Sequence, residues 1–220
     1  MKRLFTLLLI LLFTQCLAVS FSQAHAAGKD KATRRVLDAT AQHIQRAGGL
    51  SIRFTATTLA GKTVQGSTSG TMDIQGKMFQ MVTPEMRTWF DGRTQWTLQE
   101  GDSEVTMTEP TGTELQAINP YAFLDIYKQG YNYKMKQGQL SNGQQGYKIF
   151  LTADNARLEI REMYLEVDSQ YNPVRVSMRQ GKSQWVRIVV NSFKTGQRFP
   201  NSHFTFPQTK YPGVEIIDLR

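Results

Sequence analysis

From Leu50 onward apolar residues recur at every second position, and turn signals interrupt them at short intervals. Ile52, Phe54 and Ala56 alternate with polar neighbours, and Ala60-Gly61-Lys62, Gln75-Gly76-Lys77, Asp91-Gly92 and Gly101-Asp102 punctuate the runs that follow. A period of two is the spacing of a strand with one face buried, and Gly, Asp and Asn at the breaks supply hairpin turns. Met72/Ile74, Phe79/Met81, Trp89, Trp96/Leu98 and Val105/Met107 continue the pattern up to Pro110. It resumes in Tyr131/Tyr133, Tyr147/Ile149/Leu151, Met163/Leu165/Val167, Val174/Val176/Met178 and Val186/Ile188/Val190. Phe204 and Phe206 are expected in a late strand, and the apolar tail from Val214 to Leu219 is expected to dock. About ten antiparallel strands result, without a linker long enough to separate domains.

Two segments break the period. Asp30 to Ala47 has Leu37, Ala41 and Ile44 at i, i+4 and i+7, with Asp30 as a cap and Gly48-Gly49 as a stop, which predicts a helix. Its Lys29, Lys31, Arg34, Arg35 and Arg46 form a basic face, read as solvated, with anionic headgroups or an acidic partner as the alternative. Thr113 to Tyr127 is predicted helical with an interruption at Asn119-Pro120, and Phe123, Leu124 and Tyr127 share one face.

The N-terminus reads as an address. Lys2 and Arg3 precede an apolar run from Leu4 to Phe13, too short to span a bilayer, and Ala24-His25-Ala26 is a cleavage signature. A secretory signal over residues 1–26 is expected, leaving one domain over 27–220. An uncleaved anchor and lipidation at Cys16 are the alternatives, and Gln15 before the cysteine disfavours the latter. The 220 residues hold 26 Lys and Arg against 18 Asp and Glu, and a single cysteine. Removing the signal takes that cysteine and two positive charges, so the exported domain is expected to rely on its core alone.

Chemistry is sparse. Only His43 and His203 remain after cleavage, and no nucleophile, zinc, P-loop or dinucleotide motif stands in a proper context. Asp91, Asp102 and Glu104 suit hairpin turns better than a carboxylate pair. Positive charge is dispersed, which argues against nucleic acid. No enzyme activity, cofactor or metal is expected. Large residues occur on both strand parities, as in Met78-Phe79 and Trp89-Phe90. Two short helices cannot bury both faces of such a sheet. A half-closed barrel with a helical lid over an apolar space resolves this, with flexible Met81 and Met107 helping to line the concave side.

The mature chain resembles the LolA family of periplasmic lipoprotein carriers, most closely its Bacteroidetes-type members. The resemblance rests on the helix leading into Leu50-Ser51-Ile52-Arg53-Phe54-Thr55, on Ser69-Gly70-Thr71-Met72, on Lys77-Met78-Phe79, and on Trp89-Phe90-Asp91-Gly92-Arg93-Thr94-Gln95-Trp96. Asn119-Pro120-Tyr121 with Leu124, then Phe204-Thr205-Phe206-Pro207 and Gly213-Val214-Glu215, complete it. It implies a mainly β fold: one curved antiparallel sheet forming an unclosed β-barrel covered by helices. It implies a monomer that takes acylated lipoproteins from an inner-membrane lipoprotein-releasing ABC transporter and passes them to an outer-membrane acceptor. The lipid-binding residues expected on this reading are Phe54, Phe79, Met81, Trp89, Trp96, Met107, Tyr121, Leu124, Tyr127, Leu165 and Met178. The family's F-x-Q after the helix is replaced by Phe54-Thr55-Ala56-Thr57. Its Arg-Pro before the aromatic strand, which helps hold the lid closed, is replaced by Gly76-Lys77. A carrier or binder of another lipid, or a lipid-sensing regulatory module, is the alternative.

Overall fold

The computed structural model describes residues 30–111, 126–181 and 183–220. The predicted signal and most of the second helical segment, with Tyr121 and Leu124, lie outside these residues. Helix α1 (Lys31–Arg46) leads into twelve strands: β1 (Gly49–Ala60), β2 (Thr63–Gln75), β3 (Met78–Val82), β4 (Met86–Phe90), β5 (Gln95–Gln99), β6 (Glu104–Thr108), β7 (Tyr131–Gln139), β8 (Gln145–Ala153), β9 (Ile160–Asp168), β10 (Pro173–Gln180), β11 (Gln184–Gln197) and β12 (Glu215–Asp218). All twelve belong to one unclosed sheet in the order β12-β6-β5-β4-β3-β2-β1-β11-β10-β9-β8-β7. Every pairing is antiparallel except β12 against β6.

Helix α1 begins where the sequence predicts. The Asp30 carboxylate accepts from the amides of Ala32 and Thr33 and from the Thr33 hydroxyl. Those Thr33 bonds hold the Asp30 carboxyl below the usual carboxylate range. Gly48, at φ 71, turns the chain out of the helix, a conformation glycine adopts without steric cost. Val36, Leu37, Ala41 and Ile44 form the buried stripe, and the Val, Leu and Ile side chains are each worth up to roughly 1.5–3 kcal/mol on burial.

That stripe belongs to one apolar cluster with Leu50, Ile52 and Phe54 of β1, Met72 and Ile74 of β2, Phe79 of β3, Phe90 of β4 and inner residues of β7 to β10. From β4 to β7 the sheet spans nine strands. Laid flat, they would spread over about 38 Å, while a helix with its side chains is about 10–12 Å wide. Each of these strands except β11 nevertheless buries inner residues in one cluster, and inner residues of β11 pack against it, so the sheet curls around the helix. Close backbone approach permits this. A Cβ on Gly70 would stand 2.6 Å from the Val82 carbonyl oxygen and 2.8 Å from the Phe54 ring.

Two expectations are corrected. Phe204 ends a 3₁₀ turn (Asn201–Phe204) and Phe206 follows it outside any strand, because Pro200 and Pro207 bracket the segment and deny it ladder donors. The sheet has twelve strands rather than about ten, because Met86–Phe90 pairs separately between β3 and β5, and the tail pairs with β6 instead of merely packing. Gly70→Ala should lower unfolding stability by about 1–3 kcal/mol through overpacking. Urea denaturation checks this, and an unchanged midpoint would mean that β2, β3 and the Phe54 ring are not so closely packed.

Candidate functional site

Register divides the sheet's side chains between two faces. Phe79 stands opposite Phe90, and Ile74 opposite Phe79, which puts all three on the inner face. Leu165 pairs with Ile149 and Val176, and Met178 with Met163 and Val186, on the same inner face. Of the expected lipid-binding residues, Phe54, Phe79, Tyr127 and Leu165 are buried in the inner cluster. Met81 and Met178 are half-buried and packed against it.

Tyr127, the last residue of the predicted second helical segment, bonds to helix α1. Its hydroxyl donates to Asp38, and its ring meets Tyr133 edge-on at 6.3 Å between centroids. Asp38 also lies 3.6 Å from Arg34.

Trp89, Trp96 and Met107 are not part of this site. Trp89 stands opposite Trp96, and Trp96 opposite Met107, on the outer face. Trp89, Leu98, Val105 and Phe206 form a second apolar cluster, with Trp96, Tyr211, Val214 and Ile216 packed on it. The Trp89 ring meets Phe206 edge-on at 5.4 Å, and Phe206 stacks on Tyr211 at the same separation. The expectation that these residues face the concave side is therefore corrected. Consecutive strand residues point to opposite faces, so Phe90 facing inward sends Trp89 outward. The C-terminal segment supplies the outer cover that two helices could not.

The inner face also holds residues outside the expected lipid-binding set. Ala56, Met135, Tyr147, Ile188, Val190 and Phe193 are partly buried there against the cluster. Ala56, Tyr147, Ile188 and Val190 carry a visible signal in the alternation of their strands. Phe193 does not, because it is an odd number of residues from Val190. A register shift between Arg53/Ser192 and Phe54/Val190 lets both face inward, and bulges of this kind are not legible in a period-two pattern.

The two histidines serve structure. His43 Nε2 bonds Asn172 at 2.9 Å, and His203 Nε2 lies 2.8 Å from Asp73 while its ring stacks on Phe199. The Asp91 carboxylate accepts from the amides of Arg93 and Thr94, as a turn residue does. Among the described residues no group of three or more His, Cys, Asp or Glu is placed to hold a metal ion. Lys77, which replaces the family's lid-closing arginine motif, is exposed in the turn between β2 and β3.

At the β7 end, Tyr131 is buried and its hydroxyl donates to the Ile160 carbonyl at 2.8 Å. Burial, and then the nearby Asp154 carboxylate, push its pKa up to about 12. The unfolded phenol ionises near 10, so the stabilisation from keeping it neutral is complete below about pH 10 and is lost as pH rises towards about 12. Phenolate absorbance should show a late-ionising step whose amplitude falls by one tyrosine in Tyr131→Phe. A variant whose late step keeps its full amplitude would refute the assignment.

A family model described as outer membrane lipoprotein carrier protein LolA matches residues 22–182 of the chain. Among curated protein sequences none matches it. Crystal structures similar to it include LprF from Mycobacterium bovis, at 13% identity over 79% of this chain and 98% of that one, with a TM-score of 0.48. Lipoprotein LppX from Mycobacterium tuberculosis is 15% identical over 76% of this chain and 99% of its own, with a TM-score of 0.45. A LolA superfamily protein from Nitrosomonas europaea is 12% identical over 79% and 97%, with a TM-score of 0.41.

Proposed function

The chain belongs to the outer membrane lipoprotein carrier protein LolA family, and from that premise we propose that it is an exported carrier that shields lipoprotein acyl chains on the inner face of its unclosed sheet. One observation carries the reading. The inner face is apolar throughout its middle, yet Ala56, Met81, Met178, Ile188 and Val190 on it are only partly buried. These residues lie on adjacent strands, β10, β11 and β1, and on nearby β3. They form an apolar strip beside the fully packed cluster around α1.

The energetics suit such a strip. Each CH₂ removed from water is worth about 0.8 kcal/mol, so a long acyl chain needs shielding worth on the order of 10 kcal/mol. A strip that takes part of the chain binds it strongly enough for transit and weakly enough for handover. Met81 and Met178 can change rotamer at little cost, which suits chains of varied length. Phe79, Phe54 and Leu165, packed at the back, set the shape of the strip rather than its capacity. In this reading an inner-membrane ABC transporter loads the carrier and an outer-membrane acceptor unloads it. The protein is then a binding protein and catalyses no reaction.

The test is direct. Protein recovered from its own envelope without detergent should carry acylated lipoproteins detectable by native mass spectrometry. Met178→Ala combined with Ile188→Ala should lower retention roughly tenfold or more. Trp96→Ala, on the outer face, should leave it unchanged. Free lipids as the only bound species would replace the proposal with a carrier of another lipid. Equal losses from variants on both faces would remove the inner strip as the site.

A further inference from the structure

The outer face of β7 to β11 carries a groove of about 730 Å³ on the side of the sheet away from α1. Its construction follows from register. One row of directly opposed residues runs Lys134, Phe150, Tyr164, Ser177, Arg187 across β7, β8, β9, β10 and β11. Ser177 is small, so Tyr164 reaches Trp185 across it, with ring centroids 5.7 Å apart. Phe150 lies 4.6 Å from Tyr164 on the other side, and the Lys134 ammonium sits 5.7 Å from the Phe150 ring centroid. The result is an aromatic shelf with a cation at each end. Tyr164 is 45% exposed, unusual for a large ring in mid-sheet.

The neighbouring row is Lys136, Lys148, Glu166, Arg175. Like charges directly opposite one another destabilise a sheet. Glu166 stands next to Lys148 in that row, but its oxygens are committed elsewhere. One accepts from Arg175 at 2.6 Å, and the other from the amide and hydroxyl of Ser141. The groove lining thus has Lys134, Lys136, Lys148, Arg175 and Arg187 against the single carboxylate of Glu166. Lysines on the edge strand β7 alone would be explained as protection against edge pairing. Lys148 and Arg187 lie on interior strands, where that explanation does not reach.

We propose that this groove docks the carrier on a membrane surface by seating the phosphate headgroups of anionic phospholipids. The lysines and Arg187 face the phosphates, and the aromatic shelf lies at the depth where Tyr and Trp settle at a membrane interface. The groove opens away from the inner strip, so docking and acyl-chain binding use separate faces. This inference rests on the carrier reading only for its purpose; the chemistry of the groove stands without it.

Sedimentation of the naturally processed protein with phosphatidylcholine vesicles, with and without phosphatidylglycerol, tests it. Binding should require phosphatidylglycerol and weaken with salt. Changing Lys134, Lys136 and Lys148 together to Gln should weaken it roughly a hundredfold at low salt. The triple change to Arg should preserve binding, which separates lost charge from lost fold. Brominated phosphatidylglycerol should quench tryptophan fluorescence, and W185F should remove most of that quenching. A parent protein that ignores phosphatidylglycerol, a triple Gln variant that binds like the parent, or quenching that survives W185F would each overturn the proposal. Capture of a soluble acidic peptide without vesicle binding would overturn it in favour of a protein partner. Lipoprotein retention measured on the same triple Gln variant keeps the two readings apart: retention intact with no vesicle binding by the parent sinks only the docking surface.

Discussion

The packing of one helix against the inside of a very wide sheet is the constraint from which the rest of the molecule follows. A 16-residue helix offers one apolar stripe, made by Val36, Leu37, Ala41 and Ile44. Twelve strands offer an inner face several times wider. The mismatch is reduced by curling the sheet, which brings β4 and β7 onto a common cluster, and Gly70 is one place where the backbone gives way to allow it. The mismatch is not removed. The inner residues of β10, β11 and β1 beyond the reach of the packed cluster remain partly exposed. A chain of this kind retains apolar surface in water by construction, and the proposed carrier role uses that surface.

The same constraint explains the edges and the outer cover. Trp89 cannot share the inner face with Phe90, so a second core has to exist on the outside, and the C-terminal segment provides it with Phe206, Tyr211 and Val214. Strand β12 then pairs with β6 in parallel, through Glu215 and Leu219 amides bonded to Ser103 and Met107 carbonyls. That leaves a four-residue edge strand, too short to recruit another chain easily. At the opposite end, β7 is guarded by outward lysines. The outer face of the sheet is therefore apolar and covered over β4 to β6, and cationic with an open aromatic shelf over β7 to β11. A soluble sheet ordinarily mixes charge signs on its wet face. The local excess of cations, bought at some cost in cross-strand repulsion, is what singles out the groove.

Much of the local structure was legible. Asp30 capping a stripe at Leu37, Ala41 and Ile44 is a complete local instruction for a helix, and α1 forms over Lys31–Arg46. Alternation located ten of the strands because a half-buried strand cannot hide a period of two. The faces were less legible. Of the expected lipid-binding residues, Phe79, Phe54 and Leu165 face inward, whereas Trp89, Trp96 and Met107 face outward. A single strand states which residues share a face but not which face is inside. Phe193 was missed because a bulge reverses its parity, and the groove was missed because its row of Lys134, Phe150, Tyr164 and Arg187 is assembled from four strands far apart in the chain.

By itself, the sequence determined the elements and their kind: one amphipathic helix, a long antiparallel series of strands, and an order of motifs that marks the LolA family. Periodicity, caps and turns are local, so neighbouring residues suffice to specify them. The tertiary structure decided the allocation of side chains between an inner apolar strip, an outer tryptophan cluster and a cationic groove. That allocation depends on cross-strand register and on which segment arrives to cover each face. Both are set by contacts between residues distant in the chain, whose energies no local pattern records.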